Sequence, residues 1–535
     1  MLRYIIIFNV FGAFCSTGQF MVNPGPKFPP TKGEVWPKPQ YENKKSTFYT
    51  FDLEHFTVKI VGTKCDLVTS AVDRFKNDQQ RLSASVVQPR RRPVKKRGRA
   101  SDRVAATELL VDLTAPCEDY PHLDMDESYN LTVAVSSKLT SASVWGIIRG
   151  LETFSQLLYL SNNYEEIRLN MTEINDYPRY SHRGLLLDTS RHYISLNNIY
   201  LTLDAMAMNK MNVFHWHIVD DQSFPYQSEK FPELSEHGAY HPSMVYTKVD
   251  IETVVNYARE RGIRVLPEID VPGHTRSWGL AYPSILTECY RNNKVVGLGP
   301  MNPIHNATYK LLRDLIQEVQ DWFPDKYYHI GGDEVDMDCW QSNPTLLDYM
   351  SKNNMSDVKE LHALFMTKVI PLLGDRSQPI VWQEVFDENV ALSENTLVQI
   401  WKDTPAVERE INKVLRAGYK VLYSESWYLD HLSSGGDWES YYKCDPRELA
   451  HNPSLAKNIV GGEACMWGEV VDDRNVISRV WPRASAVAEV LWSAANASAQ
   501  LDSARRRIEE HTCRMIRRDI GAQPPNGPGF CVVPI

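Results

Sequence analysis

The chain has 535 residues, of which 43% are apolar and 23% charged, with a formal net charge of −9. That length exceeds one small domain and suits a large barrel with a smaller companion, and the composition is globular. The acidic balance gives no general pull toward nucleic acid or an anionic membrane.

The first residues have the layout of a secretory signal: Arg3 supplies the positive charge, Tyr4 to Phe14 the apolar core, and Ala13-Phe14-Cys15 or Ser16-Thr17-Gly18 a cleavage site. A signal peptide is expected over residues 1–18. Eleven mostly apolar residues are too few to span a bilayer, and no later run is long enough, so no membrane span is expected. Eight cysteines then remain: Cys65, Cys117, Cys289, Cys339, Cys444, Cys465, Cys513 and Cys531. In an oxidising compartment some will pair, but their spacing leaves the connectivity open. No Cys-x-x-Cys occurs, so no metal is expected. Acceptor sequons at Asn130, Asn170, Asn306, Asn354 and Asn496 predict glycosylation.

Residues 19–175 read as a small α+β domain. A proline-rich lead-in to Tyr49 excludes regular helix. Alternation then predicts strands at Phe56–Val61, Glu108–Leu113 and Tyr129–Val135, and a helix over Ser143–Tyr159. Within this domain Arg90–Arg99 carries seven positive charges in ten residues. In an exported chain it reads as a solvated, protease-sensitive loop, and no nucleic acid partner is expected.

Residues 176–535 change pattern. Short apolar runs recur at Gly184–Asp188, Val213–Val219, Ile263–Leu266, Tyr327–Ile330, Ile380–Trp382, Leu397–Trp401, Tyr419–Tyr423 and Ile459–Glu463, mostly separated by helical stretches. Ser195 and Asp250 are expected to cap two of those helices, the second ended by Gly262. Eight strands alternating with helices predict an α/β fold, a (β/α)8 TIM barrel preceded by the α+β domain.

Each run ends on polar or aromatic groups: Asp188…Arg191, Asp220-Asp221, Glu268…His274, Asp333-Glu334, Trp382, Trp401, Tyr428…Asp430 and Trp467…Glu469. A barrel gathers these ends on one face, where active sites are built. Singly, each has a dull explanation: an acidic turn, a core tryptophan, a locally bonded histidine. Together, carboxyl groups, tryptophans and an arginine suit a sugar, whose apolar faces stack on rings and whose hydroxyls need polar partners. Glycoside cleavage needs one protonated carboxyl and one ionised neighbour. Glu334 is expected to be the acid, its pKa raised by partial burial and by Asp333, with Asp333 the charged partner.

His329-Ile-Gly-Gly-Asp-Glu334 resembles the signature of glycoside hydrolase family 20, the β-N-acetylhexosaminidases. So do Arg183–Tyr193, Phe214–Asp221, Pro272–Thr275, Val381–Val385 and Gly461–Glu469, in the same order. The resemblance runs from about Trp36 to Phe530 and is nearest to the β-type subunit of animal lysosomal hexosaminidases. It implies substrate-assisted, retaining, exo-acting hydrolysis without a cofactor, in which the 2-acetamido oxygen attacks the anomeric carbon to form an oxazolinium intermediate. It further implies roles. Asp333 orients the acetamido group, Glu334 is acid then base, and Asp220 and His274 support it. Tyr428 bonds the acetamido oxygen, Trp382 and Trp401 wall its pocket, and Trp467 stacks under the ring. Arg191, Asp430 and Glu469 grip hydroxyls.

The resemblance also implies disulfides Cys65–Cys117, Cys289–Cys339 and Cys513–Cys531, with Cys465 a free thiol and Cys444 free or paired with it. It implies a homodimer, lysosomal or secreted, acting on glycans with terminal β-linked N-acetylglucosamine or N-acetylgalactosamine. Asp430-His431 resembles the β-type pattern and predicts a preference for neutral sugars. A non-catalytic carbohydrate-recognition protein on the same fold, and a conventional retaining glycosidase with Asp333 as nucleophile, are the competing readings.

Overall fold

The computed structural model describes residues 31–86, 104–402, 407–431, 436–495, 500–525 and 531. The expected signal peptide, the basic stretch 90–99 and the sequon at Asn496 lie outside the described residues. Among those residues no helix is long and apolar enough to cross a membrane.

A first sheet contains β1 (Tyr41–Phe51), β2 (Thr57–Gly62), β3 (Glu108–Leu113), β4 (Tyr129–Val133), β5 (Ser136–Ser141), β6 (Leu158–Leu160) and β7 (Ile167–Asp176). Its order is β1-β7-β4-β5-β3-β2, with β6 added on β7. In β3 and β4 alternate residues point inward, so Leu109, Val111, Leu113, Tyr129, Leu131 and Val133 share one core with the helices Asp66–Ala84 and Val144–Leu157. Ser143 caps the second helix, its hydroxyl accepting the Trp145 N–H.

The barrel strands are β8 (His182–Asp188), β9 (Val213–His217) and β10 (Arg264–Glu268). After a hairpin of β11 (Leu286–Arg291) and β12 (Lys294–Met301) follow β13 (Tyr327–His329), β14 (Gln378–Trp382), β15 (Leu397–Ile400), β16 (Lys420–Tyr423) and β17 (Ile459–Met466). The eight pair in parallel in chain order, and β17 closes on β8. Covered by helices outside and filled inside, such strands are buried on both faces, as β8 and β17 are along their whole length.

The filling is layered. Val213, Leu266, Ile380, Leu397, Leu422 and Val460 form an apolar floor. His182, His215, Glu268, His329, Gln399 and Glu463 are buried polar side chains inside the barrel, and Leu186, Trp382 and Cys465 begin the aromatic mouth. Gly184 makes room for this polar layer: a Cβ there would stand 2.4 Å from the Glu463 side chain.

Two capping expectations change. The helix Leu196–Met208 starts at Ser195, but that hydroxyl makes no cap bond; instead Asp473 Oδ1 accepts the Ser195 N–H at 2.7 Å. The helix Lys248–Arg259 is capped by Thr247, and Asp250 is the third helical residue of a reciprocal capping box. The sequence Thr-x-x-Asp offers both arrangements, and the reciprocal one satisfies two backbone N–H groups rather than one.

The units are fastened by buried charge. Glu127 accepts from Arg149 at 2.9 Å and from the barrel's Arg183 at 2.6 and 2.7 Å. Arg149 continues to the carbonyls of Arg261 and Gly262. Trp36, ahead of the first sheet, lies in the barrel's own core. Disulfides join Cys65–Cys117, Cys289–Cys339 and Cys513–Cys531, while Cys444 and Cys465 are both free thiols.

Candidate active site

After β13 the backbone turns through Gly331 and Gly332, at φ +73° and +100°, and Glu334 follows at φ +47°. A Cβ on Gly331 would fall 1.7 Å from Asp270 Oδ1, so only glycine fits. Asp270 Oδ1 accepts the Gly332 N–H at 2.8 Å and fixes the turn. The turn sends the two adjacent carboxylates into different surroundings. The Asp333 side chain is 9% exposed and that of Glu334 58%. The partial burial expected for Glu334 therefore falls on Asp333, because the positive φ aims Glu334 out to the mouth.

His274 stands between them. Its Nε2 lies 3.7 Å from Asp333 Oδ2, 3.7 Å from Glu334 Oε2 and 3.8 Å from Asp270 Oδ2, and its Nδ1 lies 3.2 Å from Asp220 Oδ1. Burial opposes its charge, but the bond to Asp220 and the charges of Asp333 and Asp220 outweigh it and push its pKa up to about 9. Asp270 shifts the other way from an ordinary carboxyl. Burial, then the charges of Asp333 and Glu268, push it well above the usual range.

Arg191, after β8, pairs with Asp188 and Asp220, each at 3.0 Å, and its guanidinium lies 5.1 Å from the Trp467 ring centroid. Glu469 is near enough to bear on its charge, and the buried Arg191 Nε has no hydrogen-bond partner among the described residues. Trp382, Trp401, Tyr428 and Trp467 form a continuous wall. Ring centroids are 6.4 Å apart for Trp382–Trp401, 6.2 Å for Trp401–Tyr428, 6.5 Å for Tyr428–Trp467 and 6.1 Å for Trp382–Trp467. Trp382 Nε1 donates to Glu268 at 2.8 Å and Trp401 Nε1 to Glu384 at 2.9 Å. Burial pushes the Tyr428 hydroxyl and the Asp430 carboxyl up, and Asp430 senses Glu469. The structure thus brings all eleven expected residues to one mouth. Asp333 Oδ1 and Asp430 Oδ1 are buried there without a hydrogen-bond partner among the described residues.

Several residues escaped the sequence reading: His217, Asp270, Glu384, Gln399 and Glu463. Glu384 is pushed to about 7 by burial and then by the charge of Asp333, against the pull of Lys402. Two groups have metal-ligand composition, His215 with Glu268 and His329, and Asp270 with His274 and Asp333. In the first, His215 already pairs with Glu268 at 3.0 Å while His329 Nδ1 accepts the Gly331 N–H at 3.1 Å; in the second, His274 Nε2 stands 3.7 to 3.8 Å from the two carboxylates, beyond hydrogen-bond reach.

Residues 180–495 match the description "Glycosyl hydrolase family 20, catalytic domain", and residues 35–157 match "beta-acetyl hexosaminidase like". The chain is 48% identical over 430 residues to the beta-hexosaminidase subunit beta of Homo sapiens, covering 79% of this chain and 77% of the relative. It is 41% identical over 508 residues to the beta-hexosaminidase subunit alpha of Rattus norvegicus, covering 93% and 94%. The solved chitobiase of Flavobacterium johnsoniae superposes with a TM-score of 0.78 at 30% identity, covering 91% of this chain and 73% of that one. A carboxylate pair at the mouth of a closed eight-stranded barrel and these likenesses agree: the chain is a glycoside hydrolase and belongs to glycosyl hydrolase family 20.

Proposed function

We propose that the protein is an exo-acting β-N-acetylhexosaminidase that removes terminal β-linked N-acetylglucosamine or N-acetylgalactosamine with retention, using the sugar's own acetamido group. The observation that carries this is the unequal pair. Asp333 is buried, close enough to Tyr428 and Glu384 for its charge to bear on both, and has one oxygen without a partner among the described residues, while Glu334 beside it stands in the open. A buried anion suits a developing positive charge on an acetamido nitrogen. An exposed acid suits a leaving oxygen at the entrance and the water that follows it.

The other roles follow from position. Trp382 and Trp401 flank the acetamido group, Tyr428 donates to its oxygen, and Trp467 carries the ring. Arg191, Asp430 and Glu469 close on hydroxyls, so one terminal sugar fills the mouth and the enzyme acts from the chain end. Asp220 and His274 hold the acid and its neighbour in register. The carboxyl groups of Asp430 and Glu469 side by side favour neutral sugars over sulfated ones. We assign the protein to the secretory pathway, lysosomal or secreted, with exposed sequons at Asn130, Asn306 and Asn354 as glycosylation sites; a homodimer is the expected assembly, read by light scattering. The decisive test compares a chromogenic β-N-acetylglucosaminide with the matching β-glucoside. Fast cleavage of the first alone is expected, and equal cleavage of both overturns the mechanism.

A further inference from the structure

Glu463, His215, Glu268, His217, Asp220 and His274 form a file of alternating acids and imidazoles from the middle of the barrel to the reaction centre. His215 Nδ1 lies 2.7 Å from Glu463 Oε2, and its Nε2 3.0 Å from Glu268 Oε2. His217 Nδ1 lies 2.6 Å from that same Glu268 oxygen, and its Nε2 2.7 Å from Asp220 Oδ2. Asp220 Oδ1 then meets His274 Nδ1. The first five side chains are fully buried. Apolar filling is the usual interior of such a barrel, and this one uses it one layer below. Buried ionic groups are costlier than apolar filling of the same volume, so the file asks for a role beyond packing.

Its protonation follows from geometry. Both ring nitrogens of His217 are within hydrogen-bond distance of a carboxylate oxygen, Glu268 at 2.6 Å and Asp220 at 2.7 Å. A neutral imidazole donates from one nitrogen only and would set a lone pair against the other carboxylate. His217 is therefore imidazolium, His215 is paired with two carboxylates as well, and the charges alternate along the file up to His274 and the catalytic pair. Burial works against both cations, but the surrounding carboxylates outweigh it, with His215 at about 9 and His217 at about 10.

We propose, building on the function proposed above, that His217 is a positioning residue for the acid–base machinery: its imidazolium, anchored by Glu268, orients Asp220, which in turn fixes the ring of His274 and holds its proton beside Glu334. The groups facing each member are few. His217 meets Glu268, Asp220 and the edge of Trp467. Asp220 also meets Arg191, and His274 meets Asp220, Asp270, Asp333, Glu334 and Arg191. Removing the cation behind Asp220 leaves more of that carboxylate's charge to bear on His274, which then holds its proton to higher pH.

The test is His217→Gln in the full chain, with kcat for a chromogenic β-N-acetylglucosaminide followed across pH. The expected result is a kcat lower by roughly 10- to 100-fold and an alkaline limb moved up by about one pH unit. An alkaline limb that stays put, whatever the loss of rate or of Tm, overturns the proposal, since a packing role lowers both without moving it. If the variant does not fold, neutron diffraction from the wild-type protein at about pH 6 decides instead. Deuterons on both nitrogens of His217 are expected, and a single deuteron there overturns the proposal. The deuteron count is independent of turnover, so wild-type protein that fails to cleave the N-acetylglucosaminide counts against the proposed function alone.

Discussion

Asp270 Oδ1 accepts the backbone N–H of Gly332 at 2.8 Å, so a residue just past β10 sets the turn that carries the carboxylate pair after β13. The contact leaves no space beside it. Gly331→Ala would drive a Cβ into the same carboxyl at a backbone angle that L-residues avoid. A loss of about 2–4 kcal/mol in urea unfolding is expected, from overpacking plus left-handed strain. Activity should fall at least about 100-fold, because the pair is displaced.

Glu334→Gln keeps shape and removes the proton donor. Its kcat should fall by roughly 10²–10⁴-fold while the sugar still binds. Asp333→Asn should also cost rate, but only on substrates with a 2-acetamido group; a loss of equal size on substrates without one speaks against the role given to Asp333. Steady-state kinetics on both substrate types, with product binding by calorimetry, checks the pair of variants.

The Trp401 indole donates to Glu384, a buried carboxyl that also faces Lys402 at 3.0 Å. Glu384→Gln retains an acceptor and should leave kcat within a few-fold of wild type. Glu384→Ala strands the indole N–H, a change worth about 1–3 kcal/mol, and should raise KM on the order of 10-fold. Equal KM values for the two variants would separate Trp401's orientation from this bond.

Stability should peak in mild acid. His215, His217 and His274 have raised folded pKa values, about 9, 10 and 9, so their contribution is complete below about 6.5 and is lost as pH rises through 9 to 10. Asp270 and Glu384, also raised, lose their contribution over the range from about 4 upward, Glu384 through about 7. Burial opposes ionisation of Asp220, Glu268 and Glu463, but their histidine partners pull all three below the ordinary range. Their contribution is present above about 4 and fades as pH falls toward their folded values. Tm recorded from about pH 3 to 10 should therefore rise, pass a maximum near pH 5 and decline; a maximum above pH 8 would contradict the imidazolium file.

Much of this was legible in the chain. Parallel barrel strands are buried on both faces, so they read as apolar runs, and their polar ends named the mouth. β1 was not legible, because its residues Glu42, Asn43, Lys44 and Lys45 show no alternation and its inward side chains come only near Tyr49 and Phe51. The hairpin of β11 and β12 was missed for a similar reason: its tip is exposed, with Val295 and Val296 in solvent. The inward histidines of β9 carry no role that the run Val213–Val219 alone reveals. Strand alternation places His215 and His217 on the interior face, but what they meet, Glu268 and Glu463, sits on strands far away in sequence. Glu334 was expected partly buried because sequence shows adjacency to Asp333, whereas the φ that separates the two is a property of the folded turn.

Glu127 has a consequence for how this protein can be taken apart. Cutting away the residues before the barrel would break the buried pair of Arg183, at the root of the first barrel strand, with Glu127, a loss on the order of 3–5 kcal/mol. Trp36 would leave with the severed piece and open a hole the size of an indole. The catalytic half is thus not a portable module: an enzyme engineer shortening this chain has to carry the front portion along or rebuild the barrel's underside.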